Sequence, residues 1–244
     1  RSLAGSAARA LGMPSLPLVP VPHPLGGIDP KLVQAKAEAV VDLVLAALTT
    51  DPPAPARVAR PATPGVSAPD DLDRFQDWVL SEGWGDGLPV LPPTPARVGR
   101  ILGSLAGSSQ EVVATLAPAG APATLEAIAV NAALAGAGPE HLPVIVAAVR
   151  AVADPRFNLN AVQTTTHPCT PLLIVNGSLA RRLGIAGGAN ALGNGHRANA
   201  VIGRSLRLVL QNVGGARPGE VDRATLGHPG KYTYCLAENE SESP

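Results

Sequence analysis

The sequence predicts an α/β protein: an incomplete open α/β unit of helix, strand and helix, followed by a larger α/β or α+β domain. Three observations predict it. Apolar residues recur at helical spacing in several segments, and short apolar runs typical of strands lie between them. A proline-rich stretch at residues 51–69 separates two such groups. Charged residues make up only 16% of the chain and apolar residues 45%, so we expect extensive burial, including subunit interfaces.

The first unit is predicted to occupy residues 1–50. Residues 3–12 are typical of the end of a helix. Leu16–Val21 is predicted to be a short buried strand despite its prolines, with an edge strand, where prolines are tolerated, as the variant. A helix follows, capped by Asp29 and running to about residue 48. One such unit cannot bury its own faces. We therefore expect the missing strands to come from residues upstream of Arg1 or from another chain, in a homo- or hetero-oligomer.

Residues 51–69 are predicted to be an extended, semi-rigid linker because they are rich in proline. The domain after it is predicted to span residues 70–244 and to carry the candidate active site. Helices are predicted at about Asp70–Glu82, from Pro95 onward, at Thr124–Ala135, Pro139–Ala153 and Asn199–Gln211. Strands are predicted within residues 83–94, at Glu111–Leu116 and, as a buried strand, at Leu172–Val175.

Charge and composition exclude several classes of partner. Basic and acidic residues are balanced at 19 each and aromatic residues are only 2% of the chain, which gives no reason to expect nucleic acid or an anionic membrane as partner. No apolar run reaches the length of a membrane-spanning helix. The two cysteines do not form a disulfide framework, so a reducing, cytoplasmic setting is expected.

Five segments carry a resemblance to a known family: Pro-His-Pro at residues 22–24, the Gly-Trp-Gly-Asp-Gly-Leu-Pro loop that starts at Gly83, Thr-His-Pro-Cys-Thr-Pro at 166–171, Gly-Asn-Gly-His-Arg-Ala-Asn-Ala at 193–200, and Gly-His-Pro-Gly-Lys at 227–231. With these, the chain resembles the UGSC-type (seleno)protein family and the larger bacterial proteins that carry a second domain after it. The resemblance implies that residues 1–50 are the C-terminal part of a UGSC-like module and that residues 70–244 are the appended domain.

The family is named for a Cys/Sec-Gly-Ser-Cys motif and is described as a thiol-redox family. This chain lacks the motif, because its only cysteines are Cys169 and Cys235. The resemblance therefore implies the fold and the arrangement of domains. It assigns no redox role to a particular residue.

Chemistry is expected between residues 163 and 240, which hold both cysteines and three of the five histidines. Cys169 follows His167 by two residues, a spacing that suits an activated thiolate or a metal ligand, and Cys235 is a second catalytic candidate. The alternative for Cys169 is a buried structural cysteine in a loop stiffened by proline.

The Gly193–Ala200 segment predicts an anion site. Gly195 and Asn194 bring backbone N–H groups close to a ligand, and Asn199 is predicted to cap the next helix, whose N-terminus attracts anions. Arg197 would add positive charge and His196 would serve as an acid or base. The alternative is a tight turn followed by a cap.

Two further segments contribute candidates. His228 suits acid–base catalysis near neutral pH, and Lys231 suits binding of an anion. In the Gly83–Thr94 loop, Trp84 and Asp86 are predicted to line a substrate pocket, with core packing as the alternative for the tryptophan.

Three functions follow from these residues. The favoured one is an enzyme acting on a small anionic molecule. The reaction considered for it is thiol-based oxidoreductase chemistry. The second is a lyase or hydrolase that depends on a divalent metal. The third is a non-catalytic subunit that completes a multi-chain enzyme. The metal set considered for the second comprises His167, Cys169, His196, His228, Cys235 and Glu238.

Overall fold

The structure of the protein is a computed structural model that describes residues 4, 5, 8, 16–50 and 65–242. The chain divides into two compact units, Arg1–Ala62 and Thr63–Pro244. The expected mixed α/β class is confirmed, because helices combine with two small two-stranded sheets. Most of the predicted linker lies outside the described residues, so its conformation stays a prediction.

Within residues 16–50, the first unit has two short helices, α1 (Pro30–Glu38) and α2 (Val41–Thr49). The predicted cap of α1 is confirmed, because Asp29 accepts a hydrogen bond from the backbone N–H of Lys31 at 2.8 Å. The prediction of one continuous helix to residue 48 is wrong, since a turn at residues 39–40 separates α1 from α2.

The predicted strand at Leu16–Val21 is also wrong, because these residues have no strand conformation. Pro17 and Pro20 have no backbone donor, and no described residue of this unit offers a partner strand. Of the predicted helix at residues 3–12, the described Ala4, Gly5 and Ala8 are helical, and the other residues lie outside the described part of the chain.

Residues 65–242 contain seven α-helices, four 3-10 helices of three residues each, and four strands. The helices are α3 (Leu72–Ser81), α4 (Pro95–Leu102), α5 (Leu125–Ala135), α6 (Leu142–Ala153), α7 (Leu159–Thr164), α8 (Gly177–Leu183) and α9 (Arg197–Asn212). The strands are β1 (Val112–Leu116), β2 (Ala121–Thr124), β3 (Leu173–Val175) and β4 (Cys235–Ala237). β1 pairs antiparallel with β2, and β3 pairs parallel with β4. The sequence did not predict α7, α8, β2 or β4.

Side-chain caps explain where three of these helices begin. Asp71, Thr94 and Thr124 each accept a hydrogen bond from a backbone N–H three residues later, which satisfies one of the donors left unpaired at a helix start. The predicted starts at Pro95 and near Thr124 are therefore confirmed.

The core lies between α5, α6 and α9, with α4, β1 and the end of β4 packed around it. α5 and α9 pack against each other, and most of their side chains are buried. The largest fully buried side chains are Ile101, Leu116, Ile128, Leu142, Ile145, Ile202, Leu208 and Leu210. This core fixes α9 as the scaffold for the surrounding loops.

β4 reaches the core through a close approach to α9. A Cβ atom at Gly203 would lie only 2.7 Å from the backbone nitrogen of Tyr234, so only glycine fits where the strand begins. β3, on the other side of β4, is half open to solvent, because Ile174 is 58% exposed. The prediction that β3 is a buried strand is therefore wrong at that position.

Candidate functional site

A buried cluster of charges joins α7, α9 and the loop that precedes β4. The Nη2 atom of Arg207 donates to Oδ2 of Asp222 at 2.5 Å. Lys231 donates from Nζ to Oδ1 of Asp222 at 3.0 Å and lies 2.9 Å from its Oδ2. Nη1 of Arg207 donates to Oε1 of Gln163 at 3.2 Å. Gln163, Arg207 and Asp222 are buried, and Lys231 is the member nearest the surface. We call these four residues the Arg207 cluster.

The Arg207 cluster carries two cations and one carboxylate. Burial alone would raise the pKa of Asp222, but the hydrogen bond from Lys231 and the positive charge of Arg207 outweigh it, so that pKa is lowered. Burial lowers the pKa of Arg207, and Asp222 opposes that shift. Asp222 is therefore ionised at neutral pH, and the cluster keeps an excess of one positive charge.

Gln163 leaves one donor in the Arg207 cluster unused. Its side chain is 2% exposed, and its Nε2 atom is buried with no hydrogen-bond partner among the described residues. A buried donor without an acceptor is costly and uncommon. The amide is therefore the one buried donor of the Arg207 cluster for which the described residues supply no acceptor.

Cys169 and His228 both lie next to Lys231. Nζ of Lys231 is 3.5 Å from the carbonyl oxygen of Cys169, and the backbone N–H of Lys231 donates to the carbonyl of His228. The Cys169 thiol is exposed, so the alternative of a buried structural cysteine is wrong. His167 is exposed in the same loop, which Thr225 holds by donating to the carbonyl of Thr166.

His228 is held in one orientation. Its Nδ1 accepts a hydrogen bond from the backbone N–H of Gly230 at 3.1 Å, and its ring packs edge-on against Tyr234 with centroids 5.9 Å apart. In the neutral imidazole an accepting Nδ1 places the proton on Nε2. Neutral His228 therefore carries its N–H donor at Nε2, whereas no comparable contact within the described part of the chain orients the ring of His167.

Cys235 is a core residue. It pairs with Leu173 in the β3–β4 sheet, its side chain is buried, and burial raises the pKa of its thiol to about 12. The prediction that Cys235 is catalytic finds no support in this environment, because a thiol that stays protonated is a poor nucleophile. Both cysteines are free thiols.

Asn199 does not cap α9. The helix begins two residues earlier, with His196 at the cap position, so the predicted start at Asn199 is wrong. The buried amide of Asn199 donates to the carbonyls of Ala186, Ala191 and Cys235 and accepts from the N–H of Ala186. Asn199 therefore clamps the glycine-rich loop to β4, and its polar atoms are already occupied.

The remaining residues of the predicted anion loop stand at the start of α9. Arg197 donates to the carbonyl of Gly136, at the end of α5, and Asn194 and Gly195 are exposed. His196 and Arg207 are eleven positions apart in the chain, which corresponds to about 16 Å along the helix axis. The loop and the Arg207 cluster are therefore two separate places on α9.

Trp84 and Asp86 are structural residues of the loop after α3. Asp86 forms a buried two-point ion pair with Arg204 at 2.7 and 2.8 Å. Trp84 packs edge-on against Trp78, with centroids 5.1 Å apart. The predicted strand in this loop is absent, since the side-chain amide of Gln76 binds the backbone N–H and carbonyl of Val90 instead.

A shallow depression of about 190 Å³ lies between α3 and the backbone around Gly85, Gly87 and residues 88–90. Neither Trp84 nor Asp86 lines it, so core packing is the better description of the tryptophan.

The candidate metal set does not gather at one point. Among the described residues, no group of three or more His, Cys, Asp and Glu side chains is arranged to hold a metal ion. Glu238 accepts instead from the side chain of Asn176, and Glu240 accepts from the backbone N–H of Gly177. These carboxylates join the C-terminal segment to the start of α8.

Sequence analysis missed three residues of the Arg207 cluster: Gln163, Arg207 and Asp222. One signal was available. Arg204 and Arg207 are the only charged residues within the otherwise apolar or small stretch 198–210, and a cation on a buried helix face needs a carboxylate partner. The identity of that partner depends on the path of the loop at residues 213–231, which the sequence does not show.

Comparison with known proteins gives one match. Residues 1–50 match the model of the UGSC family, which confirms the resemblance of that segment. The match covers 50 of the 244 residues, and the resemblance of residues 70–244 to an appended domain stays a prediction. Neither the curated proteins nor the solved structures include a match to this chain.

Within the described ranges, no helix combines the length and apolar character needed to cross a membrane.

Proposed function

We propose that residues 70–244 form an enzyme domain that acts on a small anionic molecule where the segments 163–171 and 222–231 meet. The observation that carries the proposal is the Arg207 cluster, which has an excess of positive charge. Its member nearest the surface, Lys231, lies beside the exposed Cys169. Desolvated cations that outnumber their carboxylates attract anions to the adjoining surface.

Cys169 is the nucleophile in this proposal, because its thiol is exposed whereas that of Cys235 is buried. His228 is the favoured acid or base, since Gly230 and Tyr234 hold its ring and leave Nε2–H to donate. Lys231 adjoins both residues and guides the anion. His196 and Arg197 would act only at the other end of α9.

Thiol redox chemistry enters the proposal in one form. The thiolate of Cys169 would attack a small external disulfide, forming a mixed disulfide and releasing one thiolate. An internal disulfide with Cys235 is not favoured, because that thiol is buried in the β3–β4 sheet with its pKa raised to about 12.

A second candidate function is assembly into an oligomer. Its support comes from α2, whose large apolar side chains are all exposed within the described structure. Light scattering coupled to size exclusion tests it. A monomer at all concentrations would contradict this candidate and leave the enzyme proposal untouched.

Alkylation of Cys169 tests the enzyme proposal without knowledge of the substrate. The rates with iodoacetate, an anion, and iodoacetamide, its neutral analogue, are measured by mass spectrometry on the folded protein and on a synthetic peptide of residues 163–171. We expect the iodoacetate-to-iodoacetamide ratio to be about tenfold higher in the protein, because the Arg207 cluster attracts the anion.

Two controls sharpen the alkylation experiment. Lys231→Gln should lower the ratio toward that of the peptide, whereas Arg100→Gln, which removes an exposed charge on α4, should leave it unchanged. Cys235 should stay unmodified in the folded protein, since only about one thiol in 10⁴ is ionised at pH 8 when the pKa is about 12. Equal ratios in protein and peptide would reject the proposal.

A further inference from the structure

The unused amide of Gln163 adds information that charge alone does not give. Its Oε1 accepts from Arg207, so the oxygen of the amide is occupied and its nitrogen is not. Its Nε2 atom is buried and meets no acceptor among the described residues. The donors of Arg207, Lys231 and Gln163 therefore belong to one cluster in which Asp222 is the only carboxylate.

We propose that Nε2 of Gln163, the guanidinium of Arg207 and the ammonium of Lys231 form a subsite for one carboxylate group of a small ligand. This inference rests on the proposed function and names its substrate class as carboxylic acids. The anchored carboxylate occupies the deep end of the site, and the rest of the ligand extends along Lys231 toward the thiol of Cys169.

A carboxylate suits the subsite better than a phosphate does. One carboxylate brings a single negative charge, which balances the single excess positive charge of the cluster, whereas phosphate brings nearly two at neutral pH. A planar carboxylate also matches the planar donors of a guanidinium and an amide. Lys231 is the least buried cation of the cluster, so the ligand approaches from its side.

Gln163→Glu tests the subsite because it places a carboxylate where the ligand's carboxylate binds. The full chain and the variant are titrated with sodium acetate, acetamide and inorganic phosphate, each at an ionic strength fixed with sodium chloride, and melting temperatures are recorded. We expect acetate to raise the melting temperature of the wild type, with phosphate weaker and acetamide inert.

In Gln163→Glu the ligand-free melting temperature should rise, because the added charge neutralises the cluster. The apparent affinity for acetate should fall about ten- to a hundredfold, the value of a hydrogen bond to a charged group. Gln163→Met keeps the length and loses the donor, so it should also weaken acetate binding. This second variant decides the question if Gln163→Glu does not fold.

Two results would overturn the subsite: an acetate effect no larger than that of sodium chloride, or equal acetate binding in the wild type and both variants. The amide of Gln163 would then hold a structural water. The results also distinguish failure of the subsite from failure of the proposed function. Acetate binding without preferential alkylation of Cys169 keeps the subsite and rejects the enzyme proposal. Preferential alkylation that Gln163→Met does not change keeps the enzyme proposal and rejects the subsite.

Discussion

The helices of the two units begin in the same way and differ in what they bury. α1 starts at an aspartate cap followed by proline, and α4 starts at a threonine cap followed by proline. Yet α1 and α2 have no buried side chain, whereas α5 and α9 bury most of theirs. Local signals therefore determine where a helix starts, and only packing against other elements makes it part of a core.

α2 makes the contrast sharp because it is as apolar as a core helix. Its five large apolar side chains are each 40–78% exposed: Val41, Leu43, Val44, Leu45 and Leu48. A helix that is apolar on all sides is normally buried. An apolar sequence therefore predicts a buried helix correctly for α5. Within the described structure it predicts one incorrectly for α2.

The largest effect is expected from Asp222→Ala, which tests whether the second unit depends on its buried ion cluster. The substitution leaves Arg207 charged and buried beside an empty position, so we expect a loss of about 3–5 kcal/mol in the free energy of unfolding. Urea unfolding followed by tryptophan fluorescence measures it, because Trp78 and Trp84 are the only tryptophans and both lie in this unit.

The pH dependence of stability provides a check on Asp222. Its pKa is lowered from the ordinary value of 3.8, so its contribution is fully present above pH 3.8 and is lost as the pH falls below that value. The wild type should therefore lose more stability than Asp222→Ala on acidification below pH 3.8. Parallel curves for the two proteins would show that Asp222 is not the titrating group.

The second effect concerns the apolar core itself. Ile128→Ala should cost about 2–5 kcal/mol, because Ile128 on α5 is fully buried and its truncation leaves a cavity. The same fluorescence-monitored urea unfolding applies. A cost below 1 kcal/mol would show that the α5–α9 contact is looser than described.

Asn199→Ala should come third, with a loss of about 1–3 kcal/mol, since three backbone carbonyls lose their donor. Asn194→Ala is the matched control, because Asn194 is exposed in the same loop and should change stability by less than about 0.5 kcal/mol. Equal effects of the two variants would reject the role of Asn199 as a clamp.

Leu48→Ala should have the smallest effect. Leu48 is 78% exposed, so in the isolated chain its truncation should change the stability of the first unit by less than about 0.5 kcal/mol. Circular dichroism at 222 nm during thermal unfolding measures the change. A loss as large as that of Ile128→Ala would mean that α2 is covered in solution, which would support assembly through this helix.

Periodicity and capping residues predicted much of the second unit. Thr94 and Thr124 mark helix starts, and the apolar spacing in α5 and α9 matches the observed core. The short elements were harder, because α7 and β4 contain too few residues for a periodic pattern. Pro17 and Pro20 argue against a strand at residues 16–21, since neither has a backbone N–H to donate to a neighbouring strand.

The candidate site was only partly predictable for a similar reason. Lys231, Cys169 and His228 stand out as reactive residue types in an apolar chain, and the structure brings the first into contact with the other two. Arg207 and Asp222 are separated by a long loop whose path depends on tertiary packing. The predicted cap at Asn199 is wrong because asparagine suits two places: it is common at helix starts, and its amide also pairs with buried backbone groups.

The carboxylates of Glu238 and Glu240, bound to Asn176 and Gly177, have a practical consequence for anyone preparing this protein. Deletion of residues 238–242 would remove both carboxylates and the backbone N–H that Glu238 donates to Val175, so the start of α8 and the ends of β3 and β4 would lose these bonds together. Shortened versions of the protein should therefore keep residues 238–242, because this segment ties the β3–β4 pair to α8.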